Sequence, residues 1–324
     1  MENGEFSGLR GSMSSSALSK LARSTLSKGG PIVIPALRKA VLEHDSERDE
    51  SYLHASGLED YCPRLNVISH IFGIKVETGI EISFQLGMTF EIGHAIHSRI
   101  QNKLLGERVH KVLGLWVCPF CLSVAGGVEP KHWQPCPSVK GCTQNNGRHF
   151  WRFVESSNIS DRLKIGGSID GGIYNYDKRG NKVLSGLEIK TISEKGFNRL
   201  NKVMPGHVRQ AQIYMYLFNL PMQTFIYVSK GWHEPSEKIE IIRKNRLKDV
   251  QGWRCGPVFE TVVYRDEALI TQLVEGRKAE LAAYESLDAG FEEYPQKLPE
   301  CKSRMATKAK NCPAAHICFD LEKK

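Results

Sequence analysis

The stretch GGSIDGGIYNYDKRGNKVLSGLEIK, residues 166–190, decides the fold and carries the candidate chemistry. Its alternating apolar and polar residues predict two short strands joined by a turn at residues 178–181. Residues two apart on a strand share a face, so Glu188 and Lys190 are expected to project together while Ile189 points into the core. The stretch therefore predicts a strand with two charged groups on one face.

Asp170 lies in the neighbouring strand, where sheet pairing is expected to bring its carboxylate beside Glu188. Two close carboxylates repel each other, and a divalent cation held between them relieves that repulsion. A lysine beside the cation, here Lys190, can orient a water molecule and stabilise the negative charge that builds on a phosphate. This pattern predicts a site for phosphodiester hydrolysis.

The alternative interpretation is a solvated strand face, where an E-x-K pair serves only as a cross-strand ion pair. Two features favour the metal site. Glycines flank Asp170 and allow a close approach of backbone or substrate; they are Gly167, Gly171 and Gly172. Glu188 and Lys190 also lie in the apolar run LSGLEIKTI, where solvated charges are unfavourable.

Composition places broad limits on the protein class. The 324 residues suffice for one large domain with insertions or for two domains. A net charge of +8 suits a polyanionic partner. No apolar run reaches the ~20 residues of a membrane span, and the first residues lack a signal-peptide pattern. We therefore expect no membrane partner, a cytoplasmic location, and reduced cysteines that are available for metal.

The nine cysteines are an odd number, which argues against a disulfide framework. Two pairs lie within residues 116–148, a segment with many glycines and prolines. Four thiolates in two close pairs predict a structural tetrahedral zinc site; they are Cys118, Cys121, Cys136 and Cys142. His132 or His149 could replace one of them. A CxxC pair alone is also typical of redox motifs, but those need no second pair.

Helical spacing predicts a helix over residues 84–105 that carries His97, and another over about 205–219. Gln210 and Tyr214 lie four residues apart on the second helix and hence on one face. Cys62 is expected inside a helix that Ser56 could cap, where a lone cysteine is more often a small buried hydrophobe. Glu155 could face the site of Asp170 or lie exposed at a strand end.

The order of these motifs resembles the RecB-like branch of the PD-(D/E)XK nuclease superfamily. That branch carries G-x3-H, then G-x-x-D, then (D/E)-x-K, then Q-x3-Y. The matching residues are Gly93 with His97, Gly167 with Asp170, Glu188 with Lys190, and Gln210 with Tyr214. The resemblance implies an α/β protein with a restriction-endonuclease-like αβββαβ core, helical flanks and an inserted zinc ribbon. The residue before Asp170 is Ile169 rather than the proline of the superfamily name.

The resemblance also implies roles for these residues. His97, Asp170, Glu188 and the backbone carbonyl of Ile189 would coordinate Mg2+ or Mn2+. Lys190 would position the attacking water and stabilise the pentacovalent phosphate. Gln210 and Tyr214 would contact the DNA backbone or support Lys190.

A second resemblance is to the iron–sulfur nucleases of this branch, the CRISPR-associated and AddB-type proteins. These hold a [4Fe–4S] cluster with one cysteine before the nuclease core and three after it. The matching residues are Cys62, Cys301, Cys312 and Cys318. Ten residues separate Cys301 from Cys312, where the family usually has CxxC, so zinc or no metal remains an alternative. Cys255 matches no ligand position and is predicted to be a buried thiol.

The predicted organisation has three parts: a flexible basic segment over residues 1–50, a nuclease domain over 51–300 with the zinc ribbon at 116–148, and a cysteine-bearing tail over 301–324. The resemblance implies a phage or mobile-element DNA exonuclease in recombination or DNA processing. It would act on DNA ends or single strands and leave 5′-phosphates. No G-x4-G-K-[ST] motif is present, so a helicase, recombinase or single-strand-binding protein would be a separate partner.

Two alternatives to the exonuclease remain open. One is an endonuclease of the same fold. The other is an inactive, zinc-containing DNA-binding module.

Overall fold

The computed structural model describes residues 33–42, 52–58, 61–74, 83–108, 112–118, 121–127, 151–231, 240–243 and 250–321. Residues 1–32 of the predicted basic segment, and residues 128–150, which carry Cys136 and Cys142, lie outside these ranges. The chain divides into two compact units, Met1–Arg48 with Gly79–Glu91, and Asp49–Thr78 with Ile92–Lys324. The candidate site lies entirely in the second unit.

The described elements alternate between helices and strands. The helices are α1 (Val33–Leu42), α2 (Pro63–Phe72), α3 (Phe84–Ser98), α4 (Glu194–Arg199), α5 (Pro205–Leu217), α6 (Glu267–Asp288), α7 (Thr307–Lys310) and α8 (Ala315–Asp320). Two short 3-10 helices lie at Ala55–Leu58 and Pro299–Cys301, and a π-helix lies at Arg99–Arg108. The strands are β1 (Leu53–His54), β2 (Gly114–Val117), β3 (Val124–Gly127), β4 (Arg152–Val154), β5 (Ser156–Ser160), β6 (Ile165–Ile169), β7 (Gly171–Tyr176), β8 (Lys182–Ile192), β9 (Met222–Ser229), β10 (Glu240–Arg243), β11 (Val250–Cys255) and β12 (Val258–Tyr264).

The central sheet has six strands in the order β10-β11-β12-β9-β8-β7. Only β8 and β9 pair in parallel within it. A parallel pair needs a crossover connection, and α4 with α5 supplies it. Two smaller sheets, β1-β6-β5 and β3-β2-β4, accompany the central one. The protein is therefore mixed α/β, as the sequence predicts, and its elements are compatible with a nuclease fold.

Apolar side chains cover both faces of the central sheet. Phe225 and Tyr227 of β9 pack with residues of α5 and α6 in one core. Leu187 and Ile189 of β8 lie on the opposite face, in a second core with Trp116. Burial on both faces explains the apolar run FIYV in β9.

A buried polar cluster joins α2 to α6. Its centre is the carboxylate of Glu280, which lies 2.9 Å from Arg277 Nη1. The side-chain amide of Asn66 and the hydroxyl of Tyr284 also donate to Glu280, at 3.0 Å and 3.2 Å. The hydroxyl of Tyr61 is a further donor. Because every partner is buried or half-buried, this cluster fixes α2, and with it Cys62, against the long helix α6.

Three predictions of local structure need correction. The stretch before the turn is two strands in different sheets, β6 and β7, because the chain leaves one sheet and enters the next at Asp170. Cys62 is not inside a helix: it is the N-cap of α2, which begins at Pro63 because proline suits a first turn that needs no N–H. Cys255 is half-buried rather than buried.

Other predictions of local structure are confirmed. The helix predicted over about 205–219 is α5, and the turn predicted before β8 joins β7 to β8. The helix predicted over 84–105 is α to Ser98 and continues as the π-helix. No helix of the described ranges has the length and apolarity that a membrane span requires.

Candidate functional site

The site forms where β7 separates from β8. Pairing of these strands ends at Gly171 and Leu187, and the N–H of Asp170 donates to the carbonyl of Leu187 at 3.1 Å. The edge of β8 beyond this point is therefore open to side chains. The Oδ2 atom of Asp170 accepts from the N–H of Ile189 at 2.6 Å. Asp170 thus closes the end of the β7–β8 ladder with its side chain.

His97 completes this corner from α3. Its Nε2 atom lies 2.8 Å from Asp170 Oδ2 and 3.1 Å from the carbonyl oxygen of Ile189. A Cβ atom at Gly93 would lie 2.9 Å from Thr191 Oγ1, so the glycine lets the helix approach β8 closely enough for His97 to reach it. The close approach gives the G-x3-H spacing a physical reason.

Glu188 and Lys190 lie on one face of β8, as the sequence predicts. Glu188 Oε1 is 2.9 Å from Lys190 Nζ and 3.5 Å from Gln210 Nε2. The other oxygen, Oε2, has no hydrogen-bond partner. Because Glu188 is only 5% exposed, water does not replace that partner freely. Burial and then the charge of Asp170 raise the pKa of Glu188 to about 8. A buried carboxylate oxygen without a donor is suited to a cation ligand.

Gln210 and Tyr214 approach the site from α5. Gln210 Nε2 donates to the Tyr214 hydroxyl at 2.7 Å. Burial and the charge of Glu188 raise the pKa of Tyr214. A Cβ atom at Gly167 would lie 2.7 Å from a ring carbon of Tyr214, so β6 must carry a glycine there. The G-x-x-D and Q-x3-Y motifs therefore meet through a packed contact.

Glu155, at the junction of β4 and β5, also reaches the corner. Ligand atoms of His97, Glu155 and Asp170 all lie within 4.8 Å of one another, and this group could bind a divalent cation. Loss of water around the Glu155 carboxylate and the charge of Asp170 raise its pKa. Glu188 is not part of this tight group. Both interpretations of Glu155 hold in part: the residue is exposed at a strand end, and its carboxylate lies within 4.8 Å of the ligand atoms of His97 and Asp170.

The distances fit a metal shell. Ligands at right angles on an octahedral cation with bonds of ~2.1 Å lie about 3 Å apart. The two contacts of His97 Nε2, to Asp170 and to the Ile189 carbonyl, match that spacing. A mixed shell of imidazole, carboxylate and carbonyl suits Mn2+ as well as Mg2+.

Two residues near the site do not follow from the sequence motifs. Gln101, in the π-helix, donates through Nε2 to the backbone carbonyl of Asp170 at 2.6 Å. His207 lies one turn before Gln210 on α5, and its Nδ1 atom is 2.7 Å from the Tyr227 hydroxyl. Burial and then the charge of Lys190 lower the pKa of His207 to about 4. The i, i+3 spacing from Gln210 was the available signal for His207.

The pKa shifts predict how the metal-free protein responds to pH. Glu188 has a folded pKa of about 8 and an unfolded value near 4.5, so the folded state binds more protons between these values. The unfolding free energy therefore falls as pH rises from about 5 to 8. The pKa of His97 is also raised, because its hydrogen bond to Asp170 and the charge of Asp170 outweigh the opposing effect of burial. The ion pair between protonated His97 and Asp170 is lost as pH rises, which also lowers the unfolding free energy.

Thermal unfolding in a chelator, at pH values from 5 to 8, measures this slope. We expect Glu188→Gln to flatten it, and Mn2+ to raise the unfolding temperature more at pH 8 than at pH 5. A chelated protein whose stability rises with pH over this range would contradict the assignment of the raised pKa.

The four cysteines at positions 62, 301, 312 and 318 converge. A cavity of about 760 Å3 is lined by Cys62, Cys301 and Cys312, and a smaller hollow is lined by all four. Burial raises the pKa of Cys62 and of Cys301, and each is raised further by neighbouring cysteine sulfurs. Among the described residues, no three of these sulfurs lie within 4.8 Å of one another. Bonds of ~2.3 Å to one tetrahedral zinc would place sulfurs about 3.8 Å apart, so no three of these sulfurs have the spacing of one zinc ion.

Arg64 lies beside these cysteines and contacts Cys318. Its buried guanidinium donates through Nε to Cys318 Sγ at 3.2 Å and through Nη1 to the carbonyl of Pro295 at 2.8 Å. A third donor, Nη2, contacts the Cys318 carbonyl at 3.4 Å. Arg64 therefore holds the segment with Cys318 against α2.

Half of the predicted zinc site is described. Cys118 and Cys121 lie in the loop between β2 and β3, where the N–H of Leu122 donates to the Cys118 carbonyl at 2.9 Å. The Sγ atom of Cys121 lies 3.2 Å from the hydroxyl of Ser123. Such a tight hairpin loop can present two thiolates to one ion. The remaining predicted ligands lie outside the described residues.

Comparison with known proteins gives only distant similarities. No protein-family model matches the chain, and no curated protein matches it. The crystal structure of SSO0001 matches at 16% identity, over 89% of this chain and 96% of that one, with a TM-score of 0.36. An alkaline exonuclease, LHK-Exo from Laribacter hongkongensis, matches at 15% identity, over 79% and 95%, with a TM-score of 0.38. Its complex with dAMP gives the same values. What can be stated of the chain therefore comes from its own structure: it is a mixed α/β protein with a group of side chains that could bind a divalent cation.

Proposed function

We propose that this chain is a metal-dependent deoxyribonuclease of the RecB-like PD-(D/E)XK class. One observation carries the proposal: the buried Oε2 atom of Glu188 has no hydrogen-bond partner, while the carboxylate interacts with the charges of Asp170 and His97 and pairs with Lys190 on the same face. An inactive binding module would have no need to bury a carboxylate whose second oxygen lacks a donor, because removing that oxygen from water has a cost.

The roles follow from the contacts of each side chain. His97, Asp170, Glu188 and the Ile189 carbonyl would hold Mg2+ or Mn2+, with Glu155 as a further ligand. The cation would supply Lewis acidity at the scissile phosphate. Lys190 is half-buried with its ammonium group at Glu188, where it orients the attacking water and offsets charge on the phosphate.

Gln210 and Tyr214 act from α5. Gln210 donates to both Glu188 and Tyr214, so it fixes the carboxylate in the rotamer that faces the corner. This supports a positioning role beside Lys190, in preference to direct contact with the DNA backbone.

We propose exonucleolytic cleavage of DNA ends or single strands with 5′-phosphate products, in recombination or DNA processing, as the iron–sulfur resemblance implies. Protein purified without air is incubated with end-labelled linear and circular single-stranded DNA, in Mn2+, Mg2+ or EDTA. Metal-dependent loss of linear DNA alone supports an exonuclease, and the label gives its polarity. Cutting of the circle favours the endonuclease, and no cleavage by metal-loaded protein favours the binding module.

We further propose that Cys62, Cys301, Cys312 and Cys318 hold a [4Fe–4S] cluster. The hollow that all four cysteines line supports it. Such a group would stabilise the fold by joining α2 to the segment 301–321. Cys118 and Cys121 would hold a structural zinc with Cys136 and Cys142, in an insertion within the nuclease domain.

Iron analysis tests the cluster. We expect protein purified without air to be brown and to contain about four iron atoms per chain. Cys318→Ser should lower the iron content and the stability, because one ligand is lost. Cys255→Ser is the matched control and should leave the iron content unchanged. A colourless protein that contains only zinc would exclude the cluster.

A further inference from the structure

The candidate site shares its sheet face with two tyrosines of β7. Tyr174 pairs with Leu184 and Tyr176 pairs with Lys182 in the antiparallel β7–β8 register. Paired residues share a face, and so do residues two apart on a strand. The two tyrosines therefore lie on the same face of the sheet as Glu188.

These tyrosines are exposed, although they are large aromatic residues of a sheet strand. Tyr174 is 57% exposed, Tyr176 is 65% exposed and Leu184 is 40% exposed. The β7 strand is an edge of the central sheet, so the patch formed by Tyr174, Tyr176 and Leu184 is accessible from the face and from the side. We call these three residues the tyrosine patch.

Positive charge surrounds the tyrosine patch. Lys182 Nζ lies 4.6 Å from the centroid of the Tyr174 ring. Arg179 is exposed in the adjoining turn. The ammonium of Lys178 lies 4.6 Å from the centroid of the Tyr264 ring, which the strand register places on the opposite face. The one acidic residue of this turn, Asp177, accepts hydrogen bonds from the N–H groups of Arg179 and Asn181. The patch thus offers ring faces together with cations, which complements bases and phosphates respectively.

The spacing connects the tyrosine patch to the candidate site. Leu184 precedes Glu188 by four residues on β8, which corresponds to about 13 Å at ~3.3 Å per residue. Tyr176 pairs with Lys182, which lies two residues further from Glu188 along β8. A nucleic acid strand whose phosphate lies at Glu188 and Lys190 can reach the patch within a few nucleotides.

We propose that Tyr174 and Tyr176 stack on unpaired bases of single-stranded DNA whose scissile phosphate lies at Glu188 and Lys190. This inference rests on the proposed nuclease function and names its substrate as a single strand. Bases in a duplex are already stacked on each other and turn only their edges to a protein, so they cannot use these ring faces. Arg179 and Lys182 bind the phosphates between the stacked bases.

Binding measurements test the proposal in the full-length protein. Fluorescence anisotropy compares single-stranded and duplex oligonucleotides, with an Asp170→Asn background that prevents cleavage. We expect Tyr174→Ala with Tyr176→Ala to lower the single-strand affinity about 10- to 100-fold and to leave duplex affinity unchanged. Tyr174→Phe with Tyr176→Phe should retain the affinity, because the ring is kept. Trp253→Ala is the matched control: Trp253 is 40% exposed on the same sheet, but its register partners place it on the opposite face.

A small substrate separates this inference from the proposed function. Bis(p-nitrophenyl) phosphate fills the phosphate site but is too short to reach the tyrosine patch. The alanine double variant, with Asp170 intact, should hydrolyse it at the wild-type rate, which also shows that the variant is folded. If wild type hydrolyses neither this ester nor DNA, the nuclease proposal fails.

Three other outcomes would contradict the proposed base stacking and leave the nuclease proposal intact. One is an active wild type with an alanine double variant of unchanged single-strand affinity. Another is an equal loss of duplex affinity. A third is a wild-type dimer that dissociates on the double substitution, because a second copy of the chain would then cover the patch.

Discussion

Asp170→Asn is expected to lower the rate of DNA cleavage by about 10^3-fold or more. The carboxylate accepts from the Ile189 N–H and contacts His97, so it sets the positions of two other proposed ligands. The amide removes one negative charge and turns its NH2 group toward one of these partners. We expect the unfolding temperature of the metal-free variant to change little, since the repulsion between Asp170 and Glu188 and the attraction between Asp170 and His97 are both lost.

The rate of loss of end-labelled DNA in Mn2+ measures this effect, with the unfolding temperature as a check on folding. Asp288→Asn is a suitable control, because Asp288 is an exposed aspartate at the end of α6. Cleavage by Asp170→Asn at the wild-type rate, in folded protein, would remove Asp170 from the catalytic residues.

Glu280→Ala is expected to lower the unfolding free energy by about 3–5 kcal/mol. The substitution leaves the guanidinium of Arg277 buried without its carboxylate, and it removes the acceptor of Tyr61 and Asn66. Burial and then the charge of Glu280 raise the pKa of Tyr61, so this hydroxyl stays a donor at any moderate pH. Urea-induced unfolding of the two proteins measures the difference.

Lys278→Ala provides the comparison on the same helix. Its ion pair with Glu275 is exposed at both ends, and such a pair contributes less than about 1 kcal/mol. Equal losses from Glu280→Ala and Lys278→Ala would show that the buried cluster contributes no more than a surface ion pair.

Much of the site could be predicted because strand and helix periodicity determine which side chains share a face. Glu188 with Lys190, and Gln210 with Tyr214, needed only the spacings of β8 and α5. The separation of β6 from β7 could not be predicted, because the alternation continues unbroken through Asp170 and only tertiary pairing divides it. Pro63 favours a helix start, so the N-cap position of Cys62 could have been predicted. The possible cap at Ser56 instead indicated a helix that begins earlier.

Residues brought in by tertiary contacts left no local pattern. Glu155 joins His97 and Asp170 from a separate sheet, and Gln101 does so from a π-helix whose wider turn no spacing indicates. The convergence of Cys62 with three distant cysteines followed from a family resemblance, since sequence spacing alone does not bring remote segments together.

The contact between Arg64 and Cys318 joins positions 254 residues apart in the chain. We expect this contact to form late in folding, because the chain between the two residues must be brought together before they can interact. The thiols at positions 301, 312 and 318 consequently stay accessible to oxidants while the central sheet is already assembling. Oxidation of these thiols would then compete with the last docking step. A reductant would increase the yield of refolded protein even where it leaves the stability of the finished fold unchanged.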